Sequence, residues 1–361
     1  MSIIADLIYY IEKYPDRAFH SNINLISIEE PETFMHPQMQ ELFIKHINDA
    51  IGFLLNRSNK NINSQLIITT HSSHILNSKI HSGNTFNNIN YVTTVNNHSN
   101  VVNLNDEKIK PDSDTKENDL KFLKKHIKYK VSELFFSDAI IFVEGITEDT
   151  LLHYYIDNNP KLNKHYISIF NINGAHGLVY HKLIKQLKVP TIIITDLDIL
   201  RSKEDKETYK QVSILTNEKT TNETIKKYNN NSDKLDSLPE FFEEDNMLIT
   251  YQSKSINGYF ATSFEEALIL TNANNSILNR ILEKLKPNIY KSIVGNPINQ
   301  NSINENSYKL QRKLSKSKSD FANELLYEFI NKNDDETIPI LPNYISNSLE
   351  WLITKLEGEK I

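Results

Sequence analysis

Along the first hundred residues, short apolar runs alternate with amphipathic stretches, the pattern of an α/β unit. Leu25-Ile26-Ser27-Ile28 predicts a strand that stops at Glu29-Glu30-Pro31. Pro37 suits the first turn of a helix whose apolar face would hold Leu42, Phe43, Ile47, Ala50, Ile51 and Leu54. A second strand, Leu66-Ile67-Ile68-Thr69, ends at Thr70-His71-Ser72-Ser73. Both runs read as apolar throughout, the composition of strands covered on two faces. Residues 91–95 and 101–104, joined by Asn96-Asn97-His98-Ser99-Asn100, predict a hairpin.

Residues 105–120 are polar, with Pro111 and four Asp, and mark the expected domain boundary. Lys121, Lys124, Lys125, Lys128 and Lys130 follow and read as a solvated helix face. A cleaner α/β unit begins with the apolar residues 139–143, which halt at Glu144-Gly145. Thr147 is expected to cap a helix with Glu148 and Asp149 in its first turn and Leu151, Leu152, Tyr155 and Ile156 on its apolar face. A strand over 166–170 runs into Asn173-Gly174-Ala175-His176-Gly177, and a helix covers about 178–187. Pro190 precedes a strand over 191–195 that ends in Asp196-Leu197-Asp198. This alternation implies right-handed crossovers and parallel pairing. Residues 200–237, dominated by Asn, Lys and Thr, predict a long and partly disordered excursion. Helices are expected near 276–286, 319–331 and 343–357.

Composition narrows the chemistry. Forty Lys+Arg against 46 Asp+Glu leaves a net charge of −6, which argues against a general nucleic-acid coat but permits a local basic groove. With no Cys there is no disulfide, thiol nucleophile or cysteine zinc site. No run approaches the ~20 apolar residues of a membrane span and no signal peptide opens the chain, so a cytoplasmic protein without a membrane partner is expected.

The acids carry the most information. In an open parallel sheet, ligands gather beyond the carboxyl ends of the strands. Glu144 and Asp196 both end strands of one unit, and Glu148 opens the helix after the first. The two-residue repeat of an extended tail would aim Asp198 with Asp196. Four converging carboxylates need cations, and hard oxygen ligands select Mg²⁺ or Mn²⁺. Two such ions can activate a water and stabilise the leaving oxygen of a phosphodiester. Taken singly, Glu148 and Asp149 also read as ordinary first-turn acids, and Asp196-Leu197-Asp198 as an ordinary turn. Their combination on separate strands favours the metal site.

Phe142-Val143-Glu144-Gly145-Ile146-Thr147-Glu148 with Ile194-Thr195-Asp196-Leu197-Asp198 resembles the acidic motifs of a TOPRIM domain, a fold shared by topoisomerases, bacterial primases and a class of nucleases. The turn at 173–177 sits where such domains often carry a glycine, and the likeness covers residues 137 to about 260. Ser263-Phe264-Glu265-Glu266-Ala267-Leu268 resembles a later acidic motif of the OLD (overcoming lysogenization defect) nucleases, and Lys318-Ser319-Asp320-Phe321-Ala322 resembles their lysine motif. The resemblance implies Glu144 and Asp196 as catalytic metal ligands, with Glu148, Asp198 and Glu265 completing the metal set. It also implies Lys318 as a catalytic group that stabilises phosphate charge in the transition state.

The front of the chain resembles the same family independently. Leu25-Ile26-Ser27-Ile28-Glu29-Glu30-Pro31-Glu32 is similar to the Walker B strand of ABC and SMC-type ATPases, with Glu29 in place of the usual Asp. Phe34-Met35-His36-Pro37 fits the segment after it. By that resemblance Glu29 would hold the Mg²⁺ of ATP, Glu30 would orient the attacking water, and His71 would reach the γ-phosphate. No Gly-x-x-x-x-Gly-Lys-Ser/Thr loop occurs in the sequence, and no Leu-Ser-Gly-Gly-like signature precedes the strand. ATP is therefore expected only where a partner completes the site.

The resulting expectation is an α/β protein. Residues 1–110 would form a partial ABC-type ATPase lobe, 111–136 a basic linker or helix, and 137–361 a TOPRIM nuclease domain with C-terminal helices. The expected activity is Mg²⁺- or Mn²⁺-dependent endonucleolytic cleavage of DNA, in defence against phage as the resemblance implies. The alternative is a regulatory or binding subunit without activity of its own. The expected partners are DNA and either a second copy or a chain carrying the Walker A and signature motifs. A topoisomerase would need a catalytic tyrosine on a separate DNA-gate domain, which no segment suggests, and the lack of Cys argues against a zinc-bearing primase.

Overall fold

The computed structural model describes residues 2–13, 22–33, 35–61, 63–95, 98–111, 116–127, 132–172, 177–295, 299 and 301–358. Phe34, Asn96-Asn97, Lys128, Lys130 and Asn173-Gly174-Ala175-His176 lie outside the described residues. The chain divides into two compact units, Met1–Tyr91 with Asn103–Phe136, and Val92–Val102 with Ser137–Ile361. Among the described residues, no helix is long and apolar enough to cross a membrane.

The first unit follows the order α1 (Ser2–Lys13), β1 (Asn24–Glu29), α2 (Pro37–Arg57), β2 (Ser64–Thr69) and α3 (Ser73–Gly83). Strands β3 (Ile89–Val95) and β4 (His98–Leu104) form a two-stranded sheet, and α4 (Asp106–Ile109) and α5 (Lys116–His126) follow. β1 and β2 pair in parallel with Glu29 opposite Thr69, so the acids after β1 and the histidine after β2 leave the sheet at the same end. Ile26 and Ile28 of β1 are buried with Ile47, Ile51 and Leu55 of α2. The other face is open: Leu25 is 66% and Ile67 43% exposed. Two-faced coverage of these strands is therefore not found among the described residues; the apolar runs conceal a half-buried alternation. Lys124 also departs from the solvated face expected of it. It is buried, 2.8 Å from Asp106 and donating to the Asn84 carbonyl at 2.7 Å, because a paired ammonium tolerates shelter that a free one does not.

The second unit is built on β5 (Ala139–Val143), α6 (Ile146–Asp157), β6 (Ile167–Asn171), α7 (Gly177–Leu187) and β7 (Thr191–Ile194). Short helices α8 (Lys203–Glu207) and α9 (Glu223–Tyr228) precede β8 (Phe241–Glu244) and β9 (Met247–Thr250). The sheet order is β6-β5-β7-β9-β8, parallel except for β8, which pairs antiparallel to β9 at the edge. Every residue of β5, β7 and β9 is buried, as strands covered on both faces should be. Among the described residues seven helices follow: α10 (Phe264–Thr271), α11 (Ser276–Leu285), α12 (Pro287–Val294), α13 (Asn301–Glu305), α14 (Ser307–Leu314), α15 (Lys318–Asn331) and α16 (Asn343–Gly358). The fold is mixed α/β with parallel-rich sheets and a helical C-terminal region.

Residues 200–237 are ordered rather than a disordered excursion. Val212, Ile225 and Leu235 gather with Leu197, Ile199 and Tyr251 in a small core of their own. Sparse apolar residues, widely spaced, gave no periodicity from which to foresee it. The main core joins Ile141 and Val143 of β5 to Leu151 and Leu152 of α6, Phe264 and Leu268 of α10, and Phe321, Leu325 and Phe329 of α15. Phe321 is fully buried there. Phe321→Ala is expected to lower unfolding free energy by about 3–5 kcal/mol, the usual cost of a phenyl-sized cavity. Urea denaturation followed by circular dichroism measures this directly.

Candidate active site

Each acid reaches the site by a different route through the fold. β5 ends at Val143 and delivers Glu144, and α6 begins two residues later. Gly145 is the N-cap of α6, the place Thr147 was expected to fill. A Cβ at Gly145 would collide with the Glu148 carboxylate, so glycine keeps room for that side chain over the turn. Thr147 is instead fully buried and donates its hydroxyl to Glu265 Oε1 at 2.8 Å. β7 ends at Ile194 and delivers Asp196 just beyond. Asp198 does not lie on an extended tail: its φ of 46° is left-handed, and its N–H donates to the Thr262 carbonyl at 3.1 Å. Glu265 comes from the first turn of α10 and Lys318 from the start of α15, with Lys318 Nζ 3.0 Å from Glu265 Oε1.

Glu144 accepts from the Thr195 hydroxyl and lies 3.3 Å from Asn222 Nδ2. Asp196 Oδ1 accepts from the Phe264 N–H and from Gln252 Nε2, each at 3.0 Å. Glu265 Oε2 accepts from Ser263 at 3.0 Å. Among the described residues, no three Asp, Glu or His groups converge closely enough to enclose an ion, and most of these oxygens face protein donors instead. Glu148 Oε2 is buried without a hydrogen-bond partner. A donor set made wholly of hard oxygens, with one buried carboxylate oxygen left bare, fits Mg²⁺ or Mn²⁺.

Two positioning residues leave no signal of that role in the sequence. Asn222 Nδ2 stands among Thr195 Oγ1 (2.8 Å), the Asp196 carbonyl (3.0 Å), Glu144 and Asp198 Oδ2 (3.5 Å). Its Oδ1 accepts from the N–H groups of Thr224 and Ile225, capping α9. An Asn before Glu-Thr is a readable cap signal, but nothing in it points back across the sheet to Glu144. Gln252 follows β9 at the same sheet end as Asp196. It accepts from the Leu197 N–H and donates to Asp196 and to the Tyr344 hydroxyl. The strand-end rule that singles out Asp196 would have found Gln252 had β9 been recognised.

Residues 135–198 match the domain family described as "Overcoming lysogenization defect protein-like, TOPRIM domain". That stretch is an OLD-like TOPRIM domain. Residues 2–76 match a second description, "AAA ATPase domain". Over 365 aligned residues the chain is 67% identical to "Endonuclease GajA" of Bacillus cereus (strain HuB5-5). That alignment takes in all of this chain and 53% of the relative, so the chain spans about half the length of the curated protein it matches.

In the AAA-type part, Glu29 closes β1 and Glu30 follows with a left-handed φ of 41°. His71 Nε2 lies 3.5 Å from Glu30 Oε1, both side chains largely exposed, and the His71 N–H donates to Glu32 Oε1 at 2.8 Å. The structure thus brings Glu29, Glu30 and His71 to one sheet end.

The clustered acids disturb one another. Burial raises the Asp196 pKa well above the ordinary value, and repulsion from Glu148, Glu265, Glu144 and Asp198 adds to it. Burial pushes Glu148 up to about 8, with the Glu265 charge contributing. Glu144 and Asp198 are raised for the same first reason, against hydrogen bonds from Thr195 and Asn222. Burial works against the Lys318 charge, but Glu265, Asp196 and Glu148 outweigh it and hold its pKa above the usual lysine value.

Because Glu148 keeps its proton in the fold up to about pH 8 and releases it from near 4.5 when unfolded, ionisation in that window disfavours the native state. In EDTA, the thermal midpoint is expected to fall as pH rises from 5 to 8.5 and to flatten above that. Glu148→Gln should weaken the slope. Millimolar Mn²⁺ at pH 8 should raise the parent midpoint, since a ligand that binds only the native state stabilises it. Differential scanning fluorimetry across pH reads all three; a midpoint that climbs between pH 5 and 8.5 in EDTA would contradict the repulsion described.

Proposed function

We propose that residues 137–361 form a divalent-metal-dependent DNA endonuclease, with residues 1–110 an ATPase-derived lobe. What carries the reading is the meeting of acids from two parallel strand ends and α10 with the Lys318 ammonium, in a chain whose 67%-identical relative is called an endonuclease. Glu144, Glu148, Asp196, Asp198 and Glu265 would hold Mg²⁺ or Mn²⁺, which when bound polarises the phosphodiester and offsets its charge. Asn222 and Gln252 fix the acids in place. Thr147 and Ser263 turn Glu265 toward Lys318. Lys318 is 30% exposed at the cleft and stands where it can meet phosphate charge that grows during cleavage. A role in phage defence rests on the family resemblance.

The open face of the β1–β2 sheet, with Leu25 and Ile67 exposed, favours a second reading. In it this chain is a subunit whose first lobe is completed by a second copy or another protein. The two readings part in a plasmid assay. Supercoiled DNA with Mn²⁺ should be nicked by the purified parent, and Asp196→Asn and Glu144→Gln should each lower the rate by about a hundredfold or more, the scale of losing a charge-stabilising group. An Asp196→Asn protein that nicks at the parent rate would refute the metal site. A parent that never nicks would favour the subunit.

ATP turnover by this chain alone is expected to be negligible, since Glu29, Glu30 and His71 have no phosphate loop in this sequence to hold the nucleotide against. Phosphate release above background that disappears in Glu30→Gln would overturn this.

A further inference from the structure

A net charge of −6 leaves room for a local basic surface, and α14 supplies one. Five of its 8 residues, Ser307, Tyr308, Leu310, Gln311 and Leu314, are buried. The three that stay outside the core are Lys309, Arg312 and Lys313, cations all. With 3.6 residues per turn they fall within about 100° of the helix circumference, so the outward side of α14 carries one sign of charge. Lys316 follows, exposed, in the turn before α15.

An outward helix face ordinarily mixes signs, because opposite charges three or four residues apart attract and like charges repel. Lys309 has Arg312 and Lys313 at those spacings. Among the described residues, no carboxylate lies within ion-pair distance of Lys309, Arg312, Lys313 or Lys316. On α11, by contrast, Arg280 reaches Glu336 at 2.6 Å and Lys284 reaches Glu324 at 2.7 Å. The Lys313 and Lys309 ammoniums lie 5.2 and 6.0 Å from the Tyr209 ring centroid, which gathers them on one side without neutralising them. The face also meets the candidate active site. Arg312 lines the open cleft of about 250 Å³ that Asp196, Asp198, Lys206 and Lys318 line as well.

We propose that the outward face of α14 is a track for the phosphate backbone of DNA, in which Lys309, Arg312 and Lys313 hold the strand and Arg312 leads it to the cleft. The inference rests on the nuclease reading and supplies what that reading lacks, an attraction to set against five acids that repel a phosphate chain. Contacts of this kind position a nucleic acid without reading its sequence. At a rise of 1.5 Å per residue, α14 runs about 12 Å, room for roughly two or three phosphates of one strand.

Fluorescence anisotropy of a labelled DNA duplex, titrated with the full chain in EDTA at several salt concentrations, reads binding apart from cutting. A triple variant, Lys309→Gln with Arg312→Gln and Lys313→Gln, is expected to bind about fiftyfold more weakly in ~0.1 M salt. Its slope of log K against log salt should fall by about 2–3, the signature of two or three lost phosphate contacts. A second duplex of unrelated sequence should lose the same factor. The control is Lys161→Gln with Lys164→Gln and Lys188→Gln, three exposed lysines on the segments that lead into β6 and β7, at the end of the sheet away from the acids. It removes as much charge and should keep the parent slope. A triple variant with parent affinity and slope would overturn the track. So would a control that weakens as much, or a parent that fails to bind duplex at ~50 mM salt. Where thermal melting shows the triple variant unfolded, the exposed Arg312 decides alone: in Arg312→Gln a slope lower by about 0.9 supports the track and an unchanged one overturns it. Plasmid nicking by the parent in Mn²⁺ keeps the two ideas separate. A protein that binds through α14 but never cuts would refute the nuclease reading alone, and one that cuts while the triple variant binds unchanged would refute the track alone.

Discussion

Mutual repulsion among buried carboxylates is the constraint around which the second unit is organised. The parallel sheet brings Glu144 and Asp196 to one edge, α6 adds Glu148, and α10 adds Glu265, all sheltered from the water that would otherwise separate their charges. Such a cluster persists only because neighbouring donors hold its members. Thr195, Asn222 and the Asp196 N–H face Glu144; Gln252 and the Phe264 N–H face Asp196; Thr147, Ser263 and Lys318 face Glu265. Glu148 has the least support, and its carboxyl is displaced far from ordinary values. The free energy stored in such repulsion is released wherever positive charge arrives.

The surrounding scaffold explains how the cluster withstands that discomfort. β5, β7 and β9 are buried along their whole length, and α6, α10 and α15 pack into one core with them. The acids project from the ends of rigid elements rather than from a free loop. Rigid placement keeps like charges together at a distance that a flexible backbone would relax.

Much of this was legible before any coordinates. Apolar runs that stop at an acid identify β5 and β7, and the helices after them follow from 3.6-residue spacing. What escaped was of two kinds. Asn222 and Gln252 act through long-range contacts, and a side chain that matters because of a residue 78 positions away leaves no local pattern. The faces of β1 and β2 escaped for a different reason. Leu25 and Ile67 are apolar yet exposed, and identity alone does not say which side of a strand is covered. Residues 200–237 misled through composition, since a small core needs only a few apolar side chains and these are scattered among many polar ones.

The contact between Thr147 and Glu265 joins residues 118 positions apart, and Lys318 closes the arrangement from still further along. Local folding cannot assemble these groups piecemeal, because closing so long a loop has to precede the contact that rewards it. During translation, the ribosome releases the strand-end acids first and the lysine much later. A half-made chain therefore carries the acids without their cation, and the arrangement comes into being only when synthesis has passed α15.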